Sequence, residues 1–417
     1  MTGSDLPSLA TPIPGPRSRG AVEILARHEC PAITARRSRR ADQIGADNDD
    51  PIVWDEALGA NVRDVDGNIH VDLSSGFGVA LLGHRHPEVV AAAQRQASRL
   101  IHAMGDAFPD ARRIALLEAL AGIAPAGLDV AILGLSGSDA VDAAVKTAVL
   151  ATGRTGVIVV QRGYHGLALG VLGLQTTSPA FTEPFRALVH PEVRALPSGC
   201  SLADLKAALP GVGLVLLEPV QGRGGMHSLP DDWIEEVAFA ARSQGALVAF
   251  DEIQSGMGRT GSMWAGPIAP DLLCVGKALA GGFPLSACLG TGEAMAAWGL
   301  STGEALHTQT FLGHPVGCAA ALAVIHVTAR DGVPERCRAL GSTWRARLEN
   351  AGFPARGRGL MLGVELGRGA LAVSRALGRR GWIALPAGPT SLGLTPSVCV
   401  DEPLIDAFVD SLRTVCA

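Results

Sequence analysis

Two short apolar runs in the middle of the chain, each ending in a chemically reactive side chain, constrain the fold most. Residues 246–250 lead into Asp251 and Glu252, and residues 271–276 lead into Lys277. Short apolar runs of this kind are typical of buried strands in a parallel sheet. In an open α/β sheet, the carboxyl ends of the strands meet at one edge, where ligands bind. The stretch therefore predicts that an acid and an amine lie together at that edge.

The distribution of lysine singles out Lys277. The basic residues are almost all arginine, and the only lysines are Lys146, Lys206 and Lys277. Arginine stays protonated and cannot act as an amine nucleophile, while Lys146 and Lys206 lie in helical patterns where a solvated side chain is expected. A lysine and a buried carboxylate on neighbouring strand ends form one arrangement that a pyridoxal phosphate enzyme needs. The lysine would form the Schiff base, and the carboxylate would pair with the ring nitrogen.

Length and composition bound the class of protein. With 417 residues and 47% apolar content, the chain can bury a large core and form two or three domains. We expect no membrane partner and a cytoplasmic location, because no apolar run approaches the ~20 residues that cross a bilayer and the N-terminus does not resemble a signal peptide. A net charge of −5 argues against nucleic acid as a partner.

No metal site is expected from the sequence. The eight cysteines include no C-x-x-C pair, so they indicate neither a zinc site nor a disulfide framework. His84 and His86 are close in sequence, but they lie beside Pro87 without a nearby carboxylate cluster. A metal site at this pair is therefore the less favoured interpretation.

Four segments are predicted along the chain. Residues 1–50 form an irregular arm, and residues 51–110, which contain a hairpin, form the N-terminal part of a small domain and a connection. Helices and strands alternate over residues 111–325, which predicts a large domain, and residues 326–417 form a C-terminal α+β part of the small domain. Strands of the large domain are predicted at 130–135, 156–161, 212–218, 247–251, 272–276 and 285–290. They indicate a mainly parallel sheet covered by helices, in the α/β class.

Other candidate site residues stand where predicted strands end. Gly137 and Ser138 lie at a helix N-terminus, where free N–H groups and the helix dipole can bind a phosphate, although serine is also simply a good helix cap. Tyr164, the only tyrosine, could stack on a planar cofactor or be structural. Glu218 ends another strand and precedes a glycine-rich loop that carries Arg223.

The residues that follow Asp251 extend the candidate site. Residues 251–254 are predicted to form one extended run that includes Ile253 and Gln254. Strand alternation would then put Asp251 and Ile253 on one face, with Asp251 at the edge of a cofactor ring and Ile253 against its plane.

Several motifs together carry a family resemblance. SGSDAVDAAVK, YHG, EPVQG, FDEIQSGMGRTG, VGKALAGGFP and HTQTFLGHPVGCAAALA resemble, in order and spacing, the class III pyridoxal phosphate aminotransferases of fold type I. This family includes ω-amino acid and 4-aminobutyrate aminotransferases, and the resemblance runs from about residue 52 to the C-terminus. It implies a large domain with a mainly parallel seven-stranded sheet, plus a smaller α+β domain built from the N- and C-terminal segments.

The resemblance implies a role for each matching residue. Lys277 would form the internal aldimine, and Asp251 would pair with the pyridinium. The remaining cofactor contacts would be Gly137 and Ser138 at the phosphate, Tyr164 and Ile253 on the ring faces, Gln254 near the phenolic oxygen, Glu218, and Thr310 at the phosphate of the neighbouring subunit. A homodimer with shared active sites is thereby implied.

The implied reaction is ping-pong transfer of an amino group between a primary amine or ω-amino acid and an aldehyde or keto acid. An aminomutase or amino acid racemase on the same scaffold stays open, because these enzymes share the first proton abstraction. A non-catalytic binding protein is a third alternative, against which the joint presence of Lys277, Asp251 and Thr310 argues.

Departures from the family pattern concern the substrate. Leu167 stands where many relatives have arginine, Arg223 replaces a glutamate, and Gly393 stands in a late stretch where an arginine is expected. We hypothesise that Arg223 binds a substrate carboxylate and that Gly393 leaves room for its side chain. The alternative is that Arg223 is a solvated loop residue. Phe77 is a further candidate for substrate contact.

Overall fold

The computed structural model describes residues 1–31, 51–300 and 303–417. Residues 32–50 of the predicted arm therefore lie outside the described residues. The described part of the arm contains the helix α1 (Pro16–His28). Its first turn is held by Asp66, whose carboxylate accepts hydrogen bonds from the backbone amides of Arg17 at 2.7 Å and Ser18 at 2.9 Å.

The strands and the remaining helices are numbered in chain order. The strands are β1 (Trp54–Leu58), β2 (Asn61–Asp64), β3 (Ile69–Asp72), β4 (Val130–Gly134), β5 (Gly156–Val160), β6 (Val193–Leu196), β7 (Val212–Leu217), β8 (Val220–Gln221), β9 (His227–Ser228), β10 (Leu247–Asp251), β11 (Leu272–Val275), β12 (Ser286–Gly290), β13 (Ala355–Arg358), β14 (Met361–Glu365), β15 (Trp382–Ile383), β16 (Leu385–Pro386) and β17 (Ser391–Leu394). The helices that follow α1 are α2 (Pro87–Ala97), α3 (Ala111–Ile123), α4 (Gly137–Thr152), α5 (Leu202–Ala208), α6 (Asp231–Ser243), α7 (Gly292–Ala296), α8 (Pro315–Arg330), α9 (Val333–Asn350), α10 (Ala370–Gly378) and α11 (Glu402–Cys416).

A seven-stranded sheet forms the centre of the fold, in the order β4-β12-β11-β10-β7-β5-β6. Only β12 runs antiparallel to its neighbours β4 and β11, and the other pairs are parallel. The predicted mainly parallel α/β sheet is confirmed. The edge strand β6 was not predicted, because its four residues include an arginine and form no apolar run.

Both faces of this sheet are covered, so the interior positions of its central strands are mostly apolar. In β10, Phe250 packs into a core that includes Trp233 and Ile234 of α6. The preceding residue, Ala249, faces the opposite core, which includes Val141 of α4. Successive side chains of a strand point to opposite faces, which explains why a doubly covered strand shows a continuous apolar run.

Segments from both ends of the chain share a second sheet. The antiparallel strands β1, β2 and β3 contain the predicted hairpin, and β15 pairs in parallel with β3, with Trp382 opposite Val71. A third sheet, β13-β14-β17-β16, lies in the C-terminal segment. These sheets agree with a smaller α+β part built from the N- and C-terminal segments. The predicted boundary at residue 325 falls inside α8, and the domain limits stay a prediction.

The helices are short relative to the thickness of a membrane. Among the described residues, no single helix is both long and apolar enough to span a bilayer. The pair α8 and α9 satisfies that criterion only when the two helices are counted together across a bend of 67°.

Candidate active site

Adjacent strands bring Asp251 and Lys277 to the same edge of the sheet. Strands β10 and β11 are parallel neighbours, with Asp251 opposite Cys274. Asp251 is the last residue of β10, and Lys277 follows the end of β11 after a single glycine. Because parallel strands end at one edge, the acid and the amine leave the sheet side by side.

The Lys277 amine lies in surroundings that favour its neutral form. Its Nζ donates a hydrogen bond to Oε1 of Gln254 at 2.9 Å and forms no ion pair within the described residues. Burial lowers the pKa of Lys277 to about 8, while the charges of Asp251 and Glu218 oppose this shift. A lysine whose pKa is near 8 is deprotonated often enough to act as a nucleophile and as a base.

Asp251 has a protein partner that the sequence argument missed. The imidazole of His165 lies with Nδ1 2.8 Å from Oδ2 of Asp251, and both side chains are buried. Burial alone would lower the pKa of His165, but the hydrogen bond and the charge of Asp251 raise the pKa above its ordinary value. His165 therefore fixes the position of the Asp251 carboxylate. The sequence feature that could have indicated His165 is its position directly after Tyr164, just beyond the end of β5.

The predicted extended run over residues 251–254 is wrong. The chain turns directly after β10, because the Ile253 amide donates to Oδ1 of Asp251 at 3.2 Å. The buried carboxylate of Glu252 accepts hydrogen bonds from the backbone amides of Ala265 and Gly266, which holds the following loop in place. Strand alternation therefore cannot decide which way Ile253 points.

Ile253 packs instead against the start of α4. A Cβ added at Gly137 would lie 2.9 Å from Cδ1 of Ile253, so the isoleucine packs closely over the glycine. Ser136 caps the helix. Its hydroxyl accepts a hydrogen bond from the Asp139 amide, and the Asp139 carboxylate accepts one from the Ser136 amide. The amides of Gly137 and Ser138 donate to no group in the described part of the chain. These amides are available to an anion.

Tyr164, Glu218 and Arg223 form one group beside Asp251. The Tyr164 amide donates to Oε2 of Glu218 at 2.8 Å. Burial raises the pKa of Glu218 to about 7, and the charge of His165 opposes that shift. The Arg223 guanidinium carbon lies 4.5 Å from the Tyr164 ring centroid and 5.6 Å from that of Phe181. Phe181 was not recognised from the sequence.

Three predicted residues stand apart from this group. Thr310 is exposed and forms no side-chain hydrogen bond within the described residues. Phe77 is 71% exposed and lies on a one-turn segment, Ser75–Gly78, next to the lysine. Gly393 lies on β17, where an added Cβ would be 2.9 Å from Cε of Met226. Met226 thus lies in the space beside Gly393, and the idea that Gly393 leaves room for Arg223 stays a prediction.

One histidine of the pair, His84, has a carboxylate partner. Nε2 of His84 lies 2.9 Å from Oδ2 of Asp72, so this histidine is bound within the small sheet region. In the parts of the chain that the structure describes, no group of three or more histidine, cysteine or acidic residues is placed to hold a metal ion.

Comparisons with known proteins identify the family. Residues 44–416 match the family model described as Aminotransferase class-III. An acetylornithine aminotransferase of Mycobacterium tuberculosis is 37% identical over 374 residues, covering 88% of this chain and 92% of that protein. The LysW-aminoadipate semialdehyde transaminase of Deinococcus radiodurans is 35% identical over 383 residues, covering 89% of this chain and 87% of that protein.

Solved structures agree with this result. Adenosylmethionine-8-amino-7-oxononanoate aminotransferase from Methanocaldococcus jannaschii superposes with a TM-score of 0.82 at 28% identity, covering 88% of this chain and 92% of that chain. Ornithine aminotransferase from Toxoplasma gondii, in a structure with partial occupancy of pyridoxal phosphate, gives 0.80 at 27% identity, covering 88% and 89%. The amine with its lowered pKa, the buried carboxylate and the available amides fit this cofactor. The chain therefore belongs to the class III aminotransferases and is a transaminase that uses pyridoxal phosphate.

Proposed function

We propose that this enzyme transfers an amino group between a primary amine or ω-amino acid and an aldehyde or keto acid by a ping-pong mechanism, with Lys277 as the residue that binds the cofactor covalently. The observation that carries the proposal is the parallel pairing of β10 and β11, which delivers Asp251 and Lys277 to one edge. The name of one relative contains an aldehyde, aminoadipate semialdehyde, which supports this substrate class.

Each residue of the site has a proposed task. When bound, pyridoxal phosphate supplies a ring that accepts electrons from the substrate carbon. Lys277 takes and returns the proton at that carbon, for which its lowered pKa suits it. Asp251, held by His165, keeps the ring nitrogen protonated. The proposed contacts with the rest of the cofactor are Gly137 and Ser138 at the phosphate, Tyr164 and Ile253 on the ring faces, and Gln254 and Glu218 at its edge.

The two half-reactions test this proposal. Holoenzyme mixed with an amine alone should convert its cofactor to the amine form and release a carbonyl product, and a keto acid added afterwards should restore the original absorbance. A panel of amino donors, tested against pyruvate and 2-oxoglutarate, identifies the substrate class. An aminomutase or racemase would instead isomerise its substrate without any keto acid, and that result would refute the proposal.

Arg223 is the proposed determinant for a substrate carboxylate. Its side chain makes no ion pair or hydrogen bond in the described part of the chain, although its charge reaches Lys277 and helps to lower that pKa. The preceding residue, Gly222, contacts the active site directly, because an added Cβ would be 2.2 Å from Oε1 of Gln254. Stacking of an exposed cation on aromatic rings contributes about 0.5–1 kcal/mol, whereas a charge-assisted hydrogen bond contributes about 1.5–3 kcal/mol. A carboxylate can therefore bind the guanidinium favourably.

Replacing Arg223 with glutamine should weaken the binding of anionic amines selectively. We expect the KM for 4-aminobutyrate to rise roughly ten- to a hundredfold, because the charge-assisted contact is lost. The KM for butylamine, a matched donor without a carboxylate, should stay within about twofold. Arg223→Lys keeps the charge and should retain part of the preference. An equal effect on both amines would show that Arg223 is only a solvated loop residue.

A second copy of the chain is the proposed partner. Residues 100–108 and 306–311 form one surface, because the rings of His102 and Phe311 lie 5.2 Å apart and Oγ1 of Thr308 donates to Asp106 at 2.9 Å. This surface exposes apolar side chains, namely Ile101, Met104, Phe108, Leu306 and Phe311. A large exposed apolar patch is typical of an interaction site. Thr310 lies within it, from where it could reach the phosphate of the partner's cofactor.

Introducing charge on this surface should separate the dimer. We expect light scattering to give twice the chain mass of 42.8 kDa for the wild type and a single chain mass for Phe108→Asp. The cause is the cost of burying an unpaired carboxylate in an apolar interface. Phe239→Asp is the matched control, because Phe239 is equally apolar and 77% exposed but lies on α6. A wild type that is monomeric at micromolar concentration would contradict the proposal.

A cytoplasmic location is also proposed. All eight cysteines are free thiols, as is usual in a reducing compartment. Fractionation of cells that produce the tagged chain tests this location.

A further inference from the structure

Arg259 is a buried cation whose hydrogen bonds are all with neutral oxygen atoms in the described part of the chain. Its side chain has no solvent exposure, and it forms no ion pair within the described residues. Burying an unpaired guanidinium is costly unless hydrogen bonds compensate for the lost water. Such a group persists in a structure only when the contacts that it makes are needed there.

The contacts of Arg259 connect three separate parts of the chain. One guanidinium nitrogen donates to the carbonyl oxygens of Leu360 at 3.1 Å and Pro396 at 3.0 Å, both in the C-terminal segment. The other donates to Oγ of Ser75 at 3.1 Å and to the carbonyl oxygen of Gly78 at 3.2 Å. Arg259 itself lies in the loop that follows β10. Its planar group therefore joins this loop to one segment in the N-terminal part of the chain and to another in the C-terminal part.

The segment Ser75–Gly78 has a backbone that needs such support. Its four residues have positive φ angles of 40°, 60°, 63° and 87°, in the left-handed region. Glycine adopts this conformation readily, but Ser75 and Phe77 carry a Cβ that makes it unfavourable. The hydroxyl of Ser75 accepts the hydrogen bond from Arg259 and also donates one to the carbonyl oxygen of Thr395 at 2.6 Å. Strained backbone of this kind is held by its surroundings and often belongs to functional sites.

This segment lies directly against the active-site lysine. A Cβ added at Gly78 would be 3.8 Å from Cδ of Lys277 and 3.6 Å from Cγ of Gln254. The same residue, Gly78, presents its carbonyl oxygen to Arg259. Gly78 therefore contacts both Arg259 and the side chain of Lys277.

We infer that Arg259 is a positioning residue that holds the left-handed segment Ser75–Gly78 against the side chain of Lys277, so that the lysine amine and Phe77 keep their places at the active site. This inference rests on the proposed role of Lys277. The charge of Arg259 has a second effect, because it helps to lower the pKa of Lys277.

Two substitutions separate the geometric effect from the effect of charge. Arg259→Lys keeps the charge, but an ammonium group cannot reach all of the acceptors. We therefore expect the amide hydrogens of the peptide covering residues 73–82 to exchange about tenfold faster in the apoenzyme. The rate of covalent pyridoxal phosphate attachment should fall, while its pH midpoint stays near the wild-type value. Arg259→Met should accelerate exchange similarly and also move the midpoint to higher pH, because a nearby positive charge is lost.

Ser75→Ala covers the case in which Arg259→Met does not fold. It removes one acceptor of Arg259 and leaves the charge, so faster exchange with an unchanged midpoint is expected. Arg154→Lys is the matched control, since Arg154 also donates to backbone carbonyl oxygens, those of Val212 and Gln244, outside the site. Unchanged exchange over residues 73–82 in Arg259→Lys and Ser75→Ala would overturn the inference, even if thermal stability fell. Failure of the wild type to attach the cofactor would refute the proposed function alone, since exchange is measured without cofactor.

Discussion

Replacing Lys277 with alanine is expected to abolish covalent attachment of the cofactor and transamination. No other lysine can substitute, because Lys146 on α4 pairs with Asp142 at 2.8 Å and Lys206 is exposed on α5. Removing only the group that transfers the proton lowers the rate roughly 10²–10⁴-fold. The substitution also removes the nucleophile that binds the cofactor, so the loss is larger. Borohydride reduction followed by peptide mass spectrometry should find pyridoxal phosphate on Lys277 in the wild type and on no lysine in the variant.

The pH dependence of attachment provides a second check on Lys277. Only the neutral amine reacts, and burial lowers the pKa to about 8. Attachment to the apoenzyme should therefore become faster as the pH rises from 6 and level off above about 8, rather than near the ~10.4 of an ordinary lysine. Lys146→Ala should behave like the wild type. Labelling of another lysine in Lys277→Ala, or a rate that still rises steeply near pH 10, would contradict the assignment.

Replacing Asp251 with asparagine should have the second largest effect, a fall of about 10²–10⁴ in the single-turnover rate. Asparagine keeps the size of the side chain but removes the charge that would hold the proton on the ring nitrogen. Breaking a buried ion pair by removing one partner costs about 3–5 kcal/mol, and each ~1.36 kcal/mol corresponds to one decade. Rapid mixing of holoenzyme with an amine, followed at the absorbance of the cofactor, measures this rate.

His165 offers a readout of the same substitution that does not depend on catalysis. The bond to Asp251 raises the pKa of His165, so in Asp251→Asn the pKa should fall, which NMR of the imidazole detects. Asp271→Asn is the control, because Asp271 lies at the opposite end of β11, where its carboxylate accepts the Val248 amide at 2.8 Å. That variant should keep the wild-type rate. An Asp251→Asn enzyme with the wild-type rate would remove Asp251 from the proposed chemistry.

Local patterns in the sequence were sufficient for the sheet and for the two central residues of the site. The apolar runs that became β7, β10, β11 and β12 are buried at all or nearly all positions, because each strand has helices on both faces. Lys277 was identifiable because only three lysines exist and one follows a strand. The strands β6, β15 and β16 are too short for a periodic signal, and β3, the partner of β15, lies far away in sequence.

Side-chain contacts between distant segments were decided by the tertiary structure alone. Asp251 meets His165 across 86 residues, and Arg259 meets Ser75 across 184, and no local pattern encodes either pair. Met226 likewise lies beside Gly393 across more than 160 residues. The sequence by itself thus determined the strands and the reactive acid and amine at their ends, because hydrophobic periodicity and residue chemistry are local properties. Only the packed chain decided what holds those groups in place, because such contacts depend on which distant segments share a buried space.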